Sequence, residues 1–264
     1  MDRQDLTDAQ KKLMGSLNYS FRSPGLFLLA LTHRSYAYEN NLRAHNERLE
    51  FLGDAILEFV VSQRLYRDRM TFEEGQMTKL RALLVCEESL AQISETLSLG
   101  AALRLGKGED SAGGRQRKSI LSDALEAILA AIYLDVAGID PDHFDSNEAI
   151  DTAMPLTHTR GLSVISGVLS PFLEDLLKQA LNGELVYDYK TALLELLQRK
   201  HRIEQIQFKM LDRRGPDHAP VFEMGIFLDD KLLAKALGCG KKSAEQAAAK
   251  IALEEIRAQS NRVE

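Results

Sequence analysis

Cysteine is scarce in this sequence. Cys86 and Cys239 are the only two, too few and too far apart for a disulfide framework or a thiolate metal site, so both read as inert thiols. No apolar run approaches the about 20 residues of a membrane span, and the polar start MDRQDLTDAQKK has no signal-peptide core. A cytoplasmic protein without membrane contact is expected. Three catalytic patterns are also missing: a Ser-His-Asp set on a nucleophile elbow, a phosphate-cradling Gly-x4-Gly-Lys-Ser/Thr loop and His-Glu-x-x-His. Their absence points away from acyl transfer, a nucleotide cofactor and zinc proteolysis.

What is present is an ordinary globular composition, 45% apolar and 27% charged, with a net charge of −6 that is unevenly spread. Residues 186–264 hold 14 Lys/Arg against 12 Asp/Glu, and the first 185 hold 19 against 27. An acidic part able to recruit a cation is thus joined to a mildly basic part able to meet phosphate.

The stretch His45–Tyr66 organises the acidic part. As a helix it sets Leu49, Phe51, Leu52, Ala55, Ile56, Phe59 and Val60 around most of its circumference, the pattern of a buried helix. Glu47, Glu50 and Asp54, spaced i, i+3, i+7, form one stripe within roughly 60°, and Glu58 extends it. Ser119–Asp135 repeats the pattern: an apolar coat interrupted by Asp123 and Glu126. Carboxylates are seldom buried without partners, and like charges at helical spacing repel. Internal pairing with Arg48, Lys79 or Arg81 would account for one such acid. Five acids on two otherwise apolar helices exceed the bases available there, which favours a hard cation such as Mg²⁺ or Mn²⁺ held by oxygen ligands. Such an ion suits phosphodiester hydrolysis.

Short amphipathic helices are expected at Leu6–Leu17 and Pro24–Leu31, and one long helix from Gln76 to about Leu97. Gly106–Gly114, with four glycines, reads as a flexible loop whose Lys107 and the following Arg115–Lys118 run could meet phosphate. Val136–Val168 reads as a long excursion with at most a short helix, followed by a helix over Leu169–Leu181. His33 and His45 read as capping or core histidines. The period then changes. Asp188–Lys200 is an amphipathic helix, Ile206–Leu211, Val221–Leu228 and Leu232–Cys239 are strands broken at Arg213–Pro216 and Asp229-Asp230, and Ser243–Ile256 is an Ala-rich helix. The fold class is therefore α+β, an all-α unit (1–183) followed by a small α-β-β-β-α module (187–258). In that module Lys241 and Lys242 sit at a helix N-terminus, where amides and dipole already favour phosphate. Thr191, Glu195 and Gln198 on the first helix and His218 in the Gly215–His218 turn face the same way, a layout suited to reading double-stranded RNA by shape.

The run Asn46–Leu57, NERLEFLGDAIL, resembles the hallmark motif of the ribonuclease III family. Leu31–Tyr36, Glu74-Gly75, Asp123–Ala127 and Ile132–Asp135 match its other blocks in order, and Lys190 onward resembles a double-stranded RNA-binding domain. The resemblance covers nearly the whole chain. It implies a homodimeric, Mg²⁺-dependent endoribonuclease that cuts both strands of duplex RNA, leaving staggered ends with 5′-phosphate and 3′-hydroxyl, and that processes ribosomal and other structured RNA precursors. Carried onto this sequence, its metal-bearing acids are Glu47, Asp54, Asp123 and Glu126, with Glu126 central. Glu50 and Glu74 match acids used for metal, the dimer or the cutting register. We accordingly expect Asp54 and Glu126 to be catalytic and Glu50, Asp123 and Glu126 to hold metal. Glu47, Asp54 and Glu74 would complete the acidic cluster. The dimer face would include part of the His45–Tyr66 helix. Two positions depart from the family: Leu194 stands where many bacterial members have glutamine, and Glu245 where a third lysine is common.

Overall fold

A computed structural model describes residues 6–68, 70–139, 155–182, 185, 188–198, 203–216 and 220–260. The chain divides into two compact units, Met1–Leu185 and Val186–Glu264.

The first unit is all-helical. Its described helices are α1 (Asp8–Ser16), α2 (Pro24–Ala30), α3 (Arg34–Glu39), α4 (Glu47–Tyr66), α5 (Glu74–Leu84), α6 (Glu87–Thr96), α7 (Leu99–Ala102), α8 (Lys107–Ser111), α9 (Lys118–Ala137) and α10 (Pro155–Leu181). α9 is the axis. Its Leu, Ile and Ala residues are buried on nearly every side, with α2, α4, α6 and α10 packed around it. Close packing needs small residues where backbones meet. A Cβ built on Gly53 of α4 would lie 1.9 Å from the Glu126 carbonyl oxygen of α9, so only glycine permits this crossing. The far end of α9 is tied down by buried Asp135, whose carboxylate accepts hydrogen bonds from the Tyr19 hydroxyl (2.7 Å), the Arg22 amide (2.9 Å) and the Ser23 amide (2.7 Å). Burial, and then the Asp135 carboxylate, raise the pKa of Tyr19.

In this unit four local expectations differ from what is observed. The long helix after Gln76 breaks at Val85-Cys86, where the Ser89 hydroxyl donates to the Leu83 carbonyl (2.6 Å) and Glu87 and Glu88 open α6 at its positive end. Gly106–Gly114 is not a loop throughout: Gly108 lies inside α8, and a 3₁₀ turn follows at Gly114–Gln116. Tertiary bonds override glycine's helix penalty there. The Gly106 amide donates to Ser35 (2.9 Å), the Lys107 amide to Glu39 (3.0 Å), and Arg115 grips Asp110 and the carbonyls of Gly100 and Leu103. The helix expected at Leu169 begins at Pro155, a residue suited to the first helical turn. Lastly, α4 is not coated all round by its own unit: Phe51 is 83% and Tyr66 80% exposed, and Phe59 and Ala55 also face out.

The second unit has α11 (Tyr189–Gln198), a three-stranded antiparallel sheet in the order β1 (Ile206–Arg214), β2 (Val221–Leu228), β3 (Lys231–Gly238), and α12 (Lys241–Ser260). Both helices cover one face of the sheet. The core joins Leu193 and Leu197 to Ile206, Ile226 and Ala234 and to the alanine stripe Ala248, Ala249 and Ala252 of α12, whose small side chains bring that helix close to the strands. Asp229 and Asp230, both at positive φ (49° and 63°), make the two-residue β2–β3 turn, and Leu228 pairs with Lys231 across it. β1 runs to Arg214, so the Arg213-Arg214 pair expected in a turn lies in the strand.

Candidate active site and RNA-binding surface

Because α4 crosses α9 at Gly53, the carboxylates that follow the apolar pattern on each helix come face to face. Glu50 of α4 and Asp123 and Glu126 of α9, all half-buried, offer carboxylate oxygens within 4.8 Å of one another. Among the described residues no lysine, arginine or histidine pairs with any of the three. The Ser122 hydroxyl donates to Asp123 at 3.3 Å. Crowding of unneutralised acids shifts their proton affinities. The Glu126 carboxyl is pushed up to about 8, first by burial and then by the charges of Asp54, Asp123 and Glu50. Glu50 is raised by burial and by Asp123, Glu47 and Asp54, and Asp123 chiefly by burial. Such a site favours a bound cation, which would replace the missing counter-charge.

The other acids fall in different places. Asp54 is exposed one turn along α4, close enough for its charge to act on Glu50 and Glu126. Glu47 lies at the start of α4 beside Arg34 (3.6 Å) and His45 (3.7 Å), and among the described residues it forms no ion pair with Arg48 or Arg81. Arg81 donates to Ser62 at 3.1 Å instead. Glu74 is apart from the cluster. It opens α5, accepts from Thr78 (3.3 Å), and lines a cleft of about 520 Å³ with Phe59, Tyr66, Met77 and Arg81. His33 caps α3, accepting from the Ser35 amide (3.2 Å), and burial lowers its pKa. Arg34 escaped the sequence reading. Its signal was the Thr-His-Arg-Ser block: Arg34 opens α3 directly after the His33 cap and stands 3.6 Å from Glu47.

In the second unit Thr191, Glu195 and Gln198 share the outward face of α11, and Leu194 is partly buried against the core. Asp188 anchors the start of that helix, bonding the Thr191 amide (3.1 Å) and hydroxyl (2.7 Å) and Gln246 (2.8 Å). Lys241 and Lys242 are exposed in the first turn of α12, which Ser243 closes by bonding Gly240. Glu245 is bound by Lys190 at 2.6 Å, and the ammonium sits 4.5 Å from the Phe208 ring centre. His218 lies outside the described residues.

An all-helical unit gathering carboxylates that no cationic side chain pairs, followed by an α-β-β-β-α unit with lysines at a helix N-terminus, fits a phosphodiester hydrolase joined to a nucleic-acid-binding module. Comparison with known proteins makes the assignment specific. Residues 23–142 match the family described as ribonuclease-III-like, and residues 189–256 match the double-stranded RNA binding motif. The chain is 43% identical over 253 residues to Ribonuclease 3 of Pelotomaculum thermopropionicum, spanning 94% of this chain and 95% of that one. It is 39% identical over 241 residues to Ribonuclease 3 of Caldanaerobacter subterraneus subsp. tengcongensis, spanning 91% and 95%. The nuclease domain of ribonuclease III from Campylobacter jejuni superposes with a TM-score of 0.51 at 35% identity, covering 64% of this chain and 96% of that domain. A second structure of that domain (TM-score 0.50, 36% identity, covering 62% and 96%) concerns flexibility in a region involved in its dimer formation. The chain belongs to the ribonuclease III family and is an endoribonuclease acting on double-stranded RNA. Among the described residues no helix is long and apolar enough to cross a membrane.

Proposed function

We propose that this enzyme works in the cytoplasm as a Mg²⁺-dependent homodimer, with Mn²⁺ an acceptable substitute. It cuts duplex segments of ribosomal and other structured RNA precursors to staggered ends bearing 5′-phosphate and 3′-hydroxyl. Residues 1–183 form the catalytic domain and 187–258 the RNA-binding domain. The observation that carries this reading is the approach of Glu50, Asp123 and Glu126 to within 4.8 Å with no cationic side chain among them. All-oxygen donors from two rigid helices fit a hard divalent ion, which when bound polarises a phosphoryl oxygen and lowers the pKa of a water. Glu126, on α9 where that helix meets Gly53 of α4, would hold the ion together with Glu50 and Asp123. Asp54, exposed at the edge of the cluster, accepts a hydrogen bond from the attacking water and orients it. Glu47 supports the cluster by keeping Arg34 beside it. Glu74, set apart on α5, acts at the dimer or on the cutting register.

The dimer reading rests on the exposed apolar face of α4, where Phe51, Phe59 and Tyr66 stand out from their own unit. Contiguous exposed aromatics mark interaction surfaces. In the second domain Lys241 and Lys242 meet backbone phosphates with the N-terminal amides of α12, while Thr191, Glu195, Gln198 and His218 reach the neighbouring grooves. Incubating the full chain with a long perfect duplex and a hairpin precursor, with and without Mg²⁺, and reading the chemistry and stagger of the ends tests the proposal. Blunt or 3′-phosphate ends, or cutting that ignores Mg²⁺, would refute it.

A further inference from the structure

Beside the carboxylate cluster lies an open cleft of about 660 Å³, lined among others by His33, Arg34, Tyr38, Arg43, His45 and Glu109. The proposed metal chemistry leaves it unused. Each of its two acids has a neighbour that offsets it: Glu109 Oε1 lies 2.7 Å from an Arg117 nitrogen, an ion pair without hydrogen-bond geometry, and Glu39 accepts the Lys107 amide at 3.0 Å. Its cations are less well matched. Arg43 is exposed and makes no ion pair among the described residues, and the Arg34 side chain is 72% exposed although it stands 3.6 Å from Glu47. The buried Nδ1 of His45 has no hydrogen-bond partner, its nearest acid oxygen being 3.7 Å away on Glu47. The exposed guanidinium groups of Arg34 and Arg43, with no hydrogen-bonded acceptor among the described residues, call for an anion in this open cleft.

We propose that this cleft binds a backbone phosphate of the RNA strand being cut, one neighbouring the scissile phosphodiester, with Arg43 and Arg34 as its principal donors. The inference rests on the function proposed above. Position favours an RNA phosphate over a free one. The charge of Arg34 is felt by both Glu50 and Asp123, so the cleft adjoins the carboxylates and a strand lying across them continues over it. Guanidinium groups pair with phosphate in two-pronged fashion, which fixes direction as well as affinity. Tyr38, 88% exposed at the rim, offers its ring to the adjoining ribose or base. The cleft would thus register the strand on the acids independently of the second domain.

The test is steady-state cleavage of a defined duplex by the full chain over a range of salt concentrations. Arg43→Ala is expected to raise KM about tenfold and to make the dependence of log affinity on log salt shallower by about one, as for one lost phosphate contact. Arg43→Lys, which keeps the charge and loses the fork, is expected to restore the salt slope and most of the KM. Arg43 makes no bond that folding depends on, so the variant reports on RNA. Wild-type KM and salt slope in Arg43→Ala, with metal-dependent cutting by the wild type intact, would overturn this inference alone. Absence of such cutting by the wild type would overturn the proposed function instead. A 5′-mononucleotide that binds wild type but not Arg43→Ala, and does so without displacing duplex or raising its KM, would assign the cleft to a free phosphate monoester and refute the RNA reading.

Discussion

Gly53→Ala adds one methyl group where α4 and α9 touch, and its effect follows from two opposing terms. Alanine in a helix interior is favoured over glycine by about 1 kcal/mol, through propensity and a less flexible unfolded chain. Against this, the new Cβ lies 1.9 Å from the Glu126 carbonyl oxygen and 2.4 Å from its carbon, backbone atoms that no rotamer change can move. Ordinary contact begins near 3.4 Å, so the helices must part by roughly 1.5 Å. This opens gaps beside buried Ile56, Leu57, Ala127 and Ala130. Overpacking costs about 1–3 kcal/mol and lost core contact adds to it, so a net loss of about 2–4 kcal/mol is expected. For a chain of this size that lowers the melting temperature by roughly 5–12 °C. The same displacement separates Glu50 from Asp123 and Glu126, so metal-dependent cleavage should fall at least tenfold even where the variant is folded. Gly167→Ala in α10, where nothing lies within 4 Å of the added carbon, is the control and should leave stability unchanged or raise it by about 0.5–1 kcal/mol. Thermal melts of the full-length variants decide the matter, and a Gly53→Ala protein as stable as wild type would refute the close-crossing argument.

Glu126→Gln gives a pH-dependent test. A folded-state carboxyl raised from 4.5 to about 8 contributes stability that is complete below pH 4.5 and lost as pH rises through about 8. The shift alone corresponds to roughly 5 kcal/mol, and solvent screening of this half-buried group reduces that to about 1–3 kcal/mol. In EDTA the glutamine variant should therefore equal wild type near pH 5 and exceed it at pH 8.5, as read by chemical denaturation at both pH values. Asp135→Ala removes the acceptor for two backbone amides and the Tyr19 hydroxyl and should cost about 2–4 kcal/mol, with loss of hydrogen-exchange protection at Arg22 and Ser23. Replacing Lys241 and Lys242 together by alanine should weaken duplex binding in a gel-shift titration about equally for all sequences and reduce the salt slope by about two.

The sequence revealed the parts of the fold whose signals are periodic. The apolar coat and acidic stripe of His45–Tyr66 and of Ser119–Asp135 follow directly from residue spacing, and they correspond to the two helices that the structure crosses at the carboxylates. The change of period after Asp188 likewise marked the α-β-β-β-α unit. What stayed hidden depends on contacts distant in sequence. The helix at Lys107–Ser111 exists because Ser35 and Glu39 reach its first amides from about 70 positions away, which no local glycine count can anticipate. The break at Val85-Cys86 was legible in principle from Glu87 and Glu88, acids that suit a new helix start. The exposure of Phe51 and Tyr66 was concealed because an apolar residue facing solvent and one facing a core look alike in sequence. Glu47 and Glu50 differ by one helical turn, yet one faces Arg34 and the other faces Asp123, a distinction that only the packing of α3 and α9 creates.

We propose Glu50, Asp123 and Glu126 as the metal-dependent cutting centre of this double-stranded RNA endonuclease. The most direct test is cleavage of a uniformly labelled perfect duplex by wild type and Glu126→Ala, each with Mg²⁺ and with EDTA, beside a binding titration on the same RNA. Wild type is expected to cut with Mg²⁺ and not in EDTA, and Glu126→Ala to bind the duplex with wild-type affinity without cutting it. Cutting by wild type in EDTA, or undiminished cutting by Glu126→Ala, would contradict the proposal.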